Sequence, residues 1–295
     1  MMRLVYLNGR IVPETRASVS VFDRGFNYGD GVFETLLVKG GRPVYLKEHL
    51  KRLKEGIKIL GIPAAGVKGL MRDIKDGAIA ALAGKNGLKG DANVKIIVTR
   101  GVGPGGHAPK KDAVPTIVMI ARPIDENALS ISREKGIRAV TVNGLMPSLP
   151  GIKSLNYLPN IIGKDIALRS GADEAIFMDK DGIISEGTSS NIFIVKNSVI
   201  LTPALGKGPS EGPLPGVVRE AVIRLAKKRG LKVKETTVHK KDLYGCDEAF
   251  LTNSIIGAVP LIEIDKRPVK DGRPGPLTRA VQGLLGAEIG RKPLK

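Results

Sequence analysis

Tryptophan is absent from this chain of 295 residues, and aromatic residues together make up 4% of it. Those few aromatics do not interleave with basic residues, which argues against a base-stacking surface for single-stranded nucleic acid. Cysteine occurs once, as Cys246, so no internal disulfide can form, and a reducing cytoplasm is the expected setting. The three histidines, His49, His107 and His239, are widely scattered. With one cysteine they make no cluster at metal-ligand spacing, so no metal site is expected. No apolar run reaches the roughly 18 residues that a membrane-spanning helix needs. The opening Met1-Met2-Arg3-Leu4-Val5-Tyr6-Leu7-Asn8-Gly9 turns polar too soon for a secretory signal. Acidic residues are also short in number: 29 against 47 lysines and arginines leave a net charge of +18.

That positive balance raises the question of nucleic acid. Most of the excess sits in mixed segments such as Lys47-Glu48-His49-Leu50-Lys51-Arg52 and Arg224–Arg229. Their helical spacing makes the charges a solvated face. Nucleic acid is therefore not the expected partner; attraction of an anionic cofactor and carboxylate substrates is the more economical use. A hydrophobic content of 42% is enough for a packed interior, and the length allows one or two domains.

Turn signals and periodicity give an α+β class with two lobes. Asn8-Gly9 marks a hairpin, Val19-Ser20-Val21-Phe22 alternates like a strand, and Asp23–Gly31 reads as a glycine-spaced loop. Val32–Val38 and Arg42–Tyr45 form a second hairpin around Lys39-Gly40-Gly41. Apolar residues at Leu46, Leu50, Leu53, Ile57 and Leu60 predict a helix, and a second is expected from about Val67 to Leu82. Strands follow at Lys95–Thr99 and Thr116–Ala121. The composition shift at Arg122-Pro123-Ile124-Asp125-Glu126-Asn127 divides a small lobe (1–121) from a large one (128–295) by a linker (122–127). The large lobe reads as a strand at Arg138–Val142, helices at Leu158–Arg169, Gly216–Lys228 and from Pro276, and hairpins between them.

Two stretches carry the chemistry. Pro150-Gly151-Ile152-Lys153-Ser154-Leu155-Asn156-Tyr157 holds one lysine in an otherwise uncharged run, a poor place for a solvating charge. Ser185-Glu186-Gly187-Thr188-Ser189-Ser190-Asn191-Ile192-Phe193 holds one acid at the end of a hairpin-like segment. Lysine is nucleophilic only when neutral, so a reactive one needs apolar or cationic neighbours. A nucleophilic lysine and an acid that holds one proton are what an imine-forming aldehyde cofactor requires. Taken singly, Lys153 also reads as a surface loop lysine and Glu186 as a turn acid.

With both motifs present, the chain resembles the class-IV (fold-type IV) pyridoxal-phosphate enzymes, from Tyr6-Leu7-Asn8-Gly9 to Asp271–Arg279. That family holds branched-chain aminotransferases, D-amino-acid aminotransferases and aminodeoxychorismate lyases. The resemblance implies a small N-terminal α/β lobe, a larger barrel-like C-terminal α/β lobe, pyridoxal 5'-phosphate between them, and a homodimer. It implies that Lys153 binds the cofactor and moves protons, that Glu186 pairs with the pyridine nitrogen, and that Tyr157 lies near the phenolic oxygen. Arg52, in His49-Leu-Lys-Arg52, would meet the phosphate, as a forked guanidinium suits it. Leu214-Pro215-Gly216-Val217-Val218 would offer the Val217 and Val218 amides at a helix start, and Asn253-Ser254 a further contact.

The expected substrate pocket comprises Phe33, Thr35, Arg100 and His107. Branched-chain enzymes usually carry Glu-Gly where Glu34-Thr35 stands, so this stretch looks closer to the other two branches. The D-amino-acid enzymes have tyrosine at Phe33 and an arginine at Gly105, two residues before His107. The lyases resemble this chain in Lys95–Gly101 and Thr252–Pro260, yet commonly carry an arginine near Gly105. The resemblance therefore implies an aminotransferase acting on an amino acid and a 2-oxo acid. Aminodeoxychorismate lyase is the alternative within catalysis, and a basic nucleic-acid-binding protein with a disused site the alternative outside it.

Overall fold

Asn8 and Gly9 both take the left-handed backbone, with φ of 46° and 91°, as a two-residue hairpin turn demands. They join β1 (Leu4–Leu7) to β2 (Arg10–Pro13), with Leu7 opposite Arg10. The computed structural model describes residues 3–103 and 105–290. Its chain forms two units: the first runs to Asp125 and takes in Lys153–Asn156, and the second holds Glu126–Ile152 and the chain from Tyr157 onward.

In the first unit, α1 (Arg24–Tyr28) leads to β3 (Gly31–Lys39), β4 (Arg42–Pro43) and α2 (Leu46–Leu60). Then come α3 (Ala64–Lys75), α4 (Ala78–Lys85), β5 (Ala92–Thr99) and β6 (Ile117–Pro123). The strands make one antiparallel sheet in the order β2-β1-β6-β5-β3-β4. Val32, Leu36, Val94, Ile96 and Met119 are at most 1% exposed and form part of its core.

Three expectations change here. The periodicity of Val67–Leu82 predicts one helix, but Gly77, at φ 92°, breaks it into α3 and α4. Val19–Phe22 alternates yet forms no strand; Val21 and Phe22 are 66% and 69% exposed, so the alternation buries nothing. The glycine-spaced loop contains α1, started by Asp23 accepting the Gly25 N–H at 2.7 Å.

In the second unit, α5 (Glu126–Lys135), β7 (Ile137–Asn143), α6 (Leu158–Arg169), β8 (Glu174–Met178) and β9 (Ile184–Gly187) come first. Next are β10 (Asn191–Lys196), β11 (Val199–Pro203), α7 (Val217–Lys228), β12 (Val233–Thr236) and α8 (Lys240–Tyr244). The chain closes with β13 (Glu248–Asn253), β14 (Gly257–Ile264), β15 (Arg267–Pro268) and α9 (Pro276–Gly290). Nine strands form one mixed sheet in the order β12-β11-β10-β13-β14-β7-β8-β9, with β15 on β14. The sheet curls into a half-barrel. Phe193 and Phe250 pair across β10 and β13 and stack at 4.8 Å between centroids.

No separate linker occupies 122–127. β6 runs through Pro123 and α5 opens at Glu126, so only Ile124 and Asp125 connect them. α5 is only weakly amphipathic, and none of its residues is fully buried. Among the described residues no helix is long and apolar enough to cross a membrane.

Candidate active site

The first unit builds one group of residues on β3. Alternation turns Val32, Glu34, Leu36 and Val38 to one face and Phe33, Thr35 and Leu37 to the other. Glu34 is therefore a carboxylate on an apolar face, 1% exposed. Helix α2 supplies its partners at spacing three, since His49 and Arg52 share a side of the helix. Arg52 donates from Nε to Glu34 Oε1 at 2.8 Å and from Nη2 to Oε2 at 2.8 Å. His49 Nδ1 lies 2.7 Å from Oε2. Burial alone would raise the Glu34 pKa, but the Arg52 charge and the bonds from Arg52 and His49 lower it to about 2. Burial pushes His49 down, against the pull of Glu34. A neutral His49 facing an ionised Glu34 carries its proton on Nδ1 and donates it.

Lys153 reaches the same strand from another direction. Because β4 pairs only with Val38 and Lys39, the edge of β3 near Gly31 is open to a further segment. Residues 153–155 take it: Phe33 N–H donates to the Lys153 carbonyl at 2.9 Å, and Leu155 N–H donates to Gly31 at 3.0 Å. Ser154 bridges to Val32 between them. The Lys153 ammonium sits 4.5 Å from the centroid of the Phe33 ring. Lys95, on β5 opposite Thr35, places its own ammonium 4.4 Å from the same centroid. Burial, then the charges of Lys153 and Arg122, lowers the Lys95 pKa.

Two residues expected in the substrate pocket, Arg100 and His107, make contacts within the first unit. Arg100 donates to Asp30 from Nε at 2.7 Å and from Nη2 at 3.2 Å. It also donates to the carbonyls of Gly61 and Leu60, where α2 ends. Asp30 accepts from Arg24 as well, and Arg24 donates to the carbonyls of Gly106 and His107. Bonds from the two arginines hold the Asp30 pKa low in spite of its burial. Arg100 is thus part of the frame, all three of its nitrogens bonded within it. His107 is exposed, and its ring meets Tyr28 edge-on at 5.8 Å.

The second unit holds the other group. Glu186 lies in β9, 7% exposed. Its Oε2 accepts the Leu214 N–H at 3.0 Å and lies 3.4 Å from Asn191 Nδ2, which donates to the Leu214 carbonyl at 2.8 Å. The acid is thereby fixed between β10 and the chain leading to α7. Gly216 is the N-cap of α7 and provides no side-chain cap; a Cβ there would lie 1.9 Å from Asn191 Oδ1. Glycine is required for that approach, and it leaves the Val217 and Val218 amides to be met by an anion. Asn253 donates to the Ser189 carbonyl and accepts the Ile255 and Ile256 N–H groups at 2.9 Å. It thereby shapes the turn that carries Ser254. Tyr157 is the N-cap of α6.

Two buried hydroxyls near these residues, Ser190 Oγ and Thr252 Oγ1, have no hydrogen-bond partner, a costly condition in a dry interior. Unused hydroxyls, an uncapped helix start and a buried acid are a donor and acceptor set that fits a phosphorylated pyridine ring. The sequence reading leaves out Glu34, Lys95 and Asn191. A charged residue among the buried alternating positions of β3 was the available signal for Glu34; Lys95, midway along a strand, offered a similar one.

Known proteins bear the same stamp. The family described as amino-transferase class IV matches residues 31–264. A Methanocaldococcus jannaschii protein, provisionally named a branched-chain-amino-acid aminotransferase, is 40% identical over 282 residues, 94% of this chain and 93% of its own. D-alanine aminotransferase of Bacillus licheniformis is 31% identical, covering 97% of this chain and 96% of its own. Aminodeoxychorismate lyase of Bacillus subtilis is 32% identical, covering 97% and 94%. Among solved structures, Escherichia coli branched-chain amino acid aminotransferase superposes with a TM-score of 0.85 at 30% identity, covering 99% of this chain and 97% of that one. A second branched-chain amino acid aminotransferase, complexed with N-(5'-phosphopyridoxyl)-L-glutamate, gives 0.83 at 28% identity, covering 99% and 96%. The chain belongs to the class IV amino-transferase family and is a pyridoxal-phosphate-dependent enzyme that moves an amino group between an amino acid and a 2-oxo acid.

Proposed function

We propose that Lys153 carries the cofactor and moves the proton, and that branched-chain L-amino acids and their 2-oxo acids are the substrates. The observation behind the first part is the seat of Lys153, bonded by its backbone along β3 with its amine over Phe33. The 40% identity to the M. jannaschii protein and the likeness to the E. coli enzyme support the second. Pyridoxal phosphate, when bound, supplies an aldehyde that exchanges amines and a ring that takes up negative charge from the substrate α-carbon. The remaining work falls to the chain.

Lys153, which would hold the cofactor's aldehyde, would once released act as the positioned base, accepting the substrate α-proton on Nζ and handing it to the cofactor's aldehyde carbon. Glu186 would keep the ring nitrogen protonated, with the Leu214 N–H fixing its carboxylate. Arg52 holds the phosphate while Glu34 fixes the Nε edge of its guanidinium. The Val217 and Val218 amides and Ser254 would add phosphate contacts; Asn253 sets the Ser254 turn, and Tyr157 would meet the phenolic oxygen. Phe33 and Thr35 line the substrate side of β3. Arg100 and His107 act indirectly, through the bonds that link Arg100, Asp30 and Arg24 to the Gly106 and His107 carbonyls.

We further read the enzyme as a homodimer. Phe22 and Phe26 of the first unit are 69% and 74% exposed, and Leu158 and Ile161 of the second are 65% and 62% exposed, apolar surface of the sort that a second copy would cover. The buried free thiol of Cys246 supports a cytoplasmic setting.

The 32% identity to the B. subtilis lyase supports a second reading, release of 4-aminobenzoate and pyruvate from aminodeoxychorismate. One experiment separates them. Holoenzyme is mixed with L-valine, L-leucine, D-alanine or aminodeoxychorismate, without acceptor. Transfer from L-valine and L-leucine, read as the cofactor's absorbance change to its amine form with release of the 2-oxo acid, is expected. Transfer from D-alanine alone would reverse the assigned handedness, and pyruvate from aminodeoxychorismate alone would favour the lyase.

A further inference from the structure

We infer that Lys95 is a positioning residue of the Lys153 site, its positive charge favouring the neutral, proton-accepting form of Lys153. This rests on the reading that Lys153 moves the proton. On β5, Val94, Ile96 and Val98 are completely buried on one face. Lys95 is on the other face, opposite Thr35 of β3 and Ile120 of β6. Its ammonium and that of Lys153 lie 4.4 and 4.5 Å from one ring centroid, that of Phe33. They are therefore at most about 9 Å apart, close to one Debye length at physiological salt.

The negative face of the ring steadies each ammonium and so keeps the two close. It does not cancel their repulsion, which is relieved when either gives up its proton. Glu34 of β3 is turned to Arg52 and His49 of α2. His49 is held neutral, and Arg122 of β6 adds further positive charge at Lys95. The depressed Lys95 pKa, caused by burial and then by Lys153, reports the same coupling from its other side. Coupling of this kind is reciprocal: what Lys153 does to Lys95, Lys95 does to Lys153. The use is plain, since an ordinary lysine near pKa 10.4 is neutral in only about one molecule in 2,500 at neutral pH.

The test uses the full-length protein freed of cofactor, trace-labelled with acetic anhydride across the alkaline range, with peptide mapping to follow each lysine. Lys95→Met should raise the titration midpoint of Lys153 by about half to one pH unit, from Coulomb's law at this separation. Lys95→Arg, which restores the charge, should return it to the wild-type value. Lys153→Met should raise the Lys95 midpoint by a similar amount. Circular dichroism checks folding, and Lys95→Gln stands in should the methionine variant fail to fold. An unchanged Lys153 midpoint in a folded, charge-free Lys95 variant overturns the inference. That result leaves the assignment of Lys153 intact, which is judged separately by where the cofactor attaches.

Discussion

Replacing Glu34 by glutamine keeps the shape of the side chain and removes the charge that faces Arg52 and His49. In the native protein the carboxyl pKa falls from 4.5 to about 2. A folded-state value below the unfolded one means stability that is complete above about pH 4.5 and is lost as pH falls toward 2. The whole depression corresponds to roughly 3 kcal/mol at neutral pH. Losing one partner of a buried pair costs about 3–5 kcal/mol, so Glu34→Gln should destabilise at pH 7 by about 3 kcal/mol. The difference between wild type and variant should then shrink by roughly 1.4 kcal/mol between pH 7 and pH 3.5. Urea unfolding read by far-UV circular dichroism suits a chain without tryptophan. Parallel wild-type and variant stabilities across that range would refute the picture of an ionised, doubly held Glu34.

The other expectations concern the cofactor. Arg52→Ala should weaken retention of pyridoxal phosphate in dialysis far more than Lys51→Ala, by about tenfold or more for one charged hydrogen bond; equal losses would reduce the role of Arg52 to general charge. Glu186→Gln should keep the bound cofactor's absorbance and slow α-proton removal by orders of magnitude, measured as deuterium exchange of the substrate; wild-type exchange would make Glu186 an ordinary buried acid.

Much of the fold could be read in the sequence where local chemistry decides. Asn8-Gly9 allowed one turn type, and the spacing of Leu46, Leu53 and Ile57 placed α2. Local signals misled in two places, for different reasons. Nothing near Val67–Leu82 outweighs its periodicity except the left-handed Gly77, and Val19–Phe22 alternates without a sheet to receive it. At the site, Lys153 and Glu186 stood out because each is the lone charge of its motif. The Glu34–His49–Arg52 group joins a strand to a helix across 15 and 18 residues, and the pairing of Lys95 with Lys153 spans a longer separation. Such contacts are products of the tertiary fold. The tie of Arg100 to Asp30, 70 residues back, is of the same kind.

The proposed chemistry depends most on which amine carries the cofactor. Borohydride reduction of the holoenzyme, followed by digestion and peptide mapping, locates that amine by the added cofactor mass. The predicted site is Lys153. Attachment at Lys95, the other lysine over Phe33, or at any lysine elsewhere in the chain would contradict the assignment.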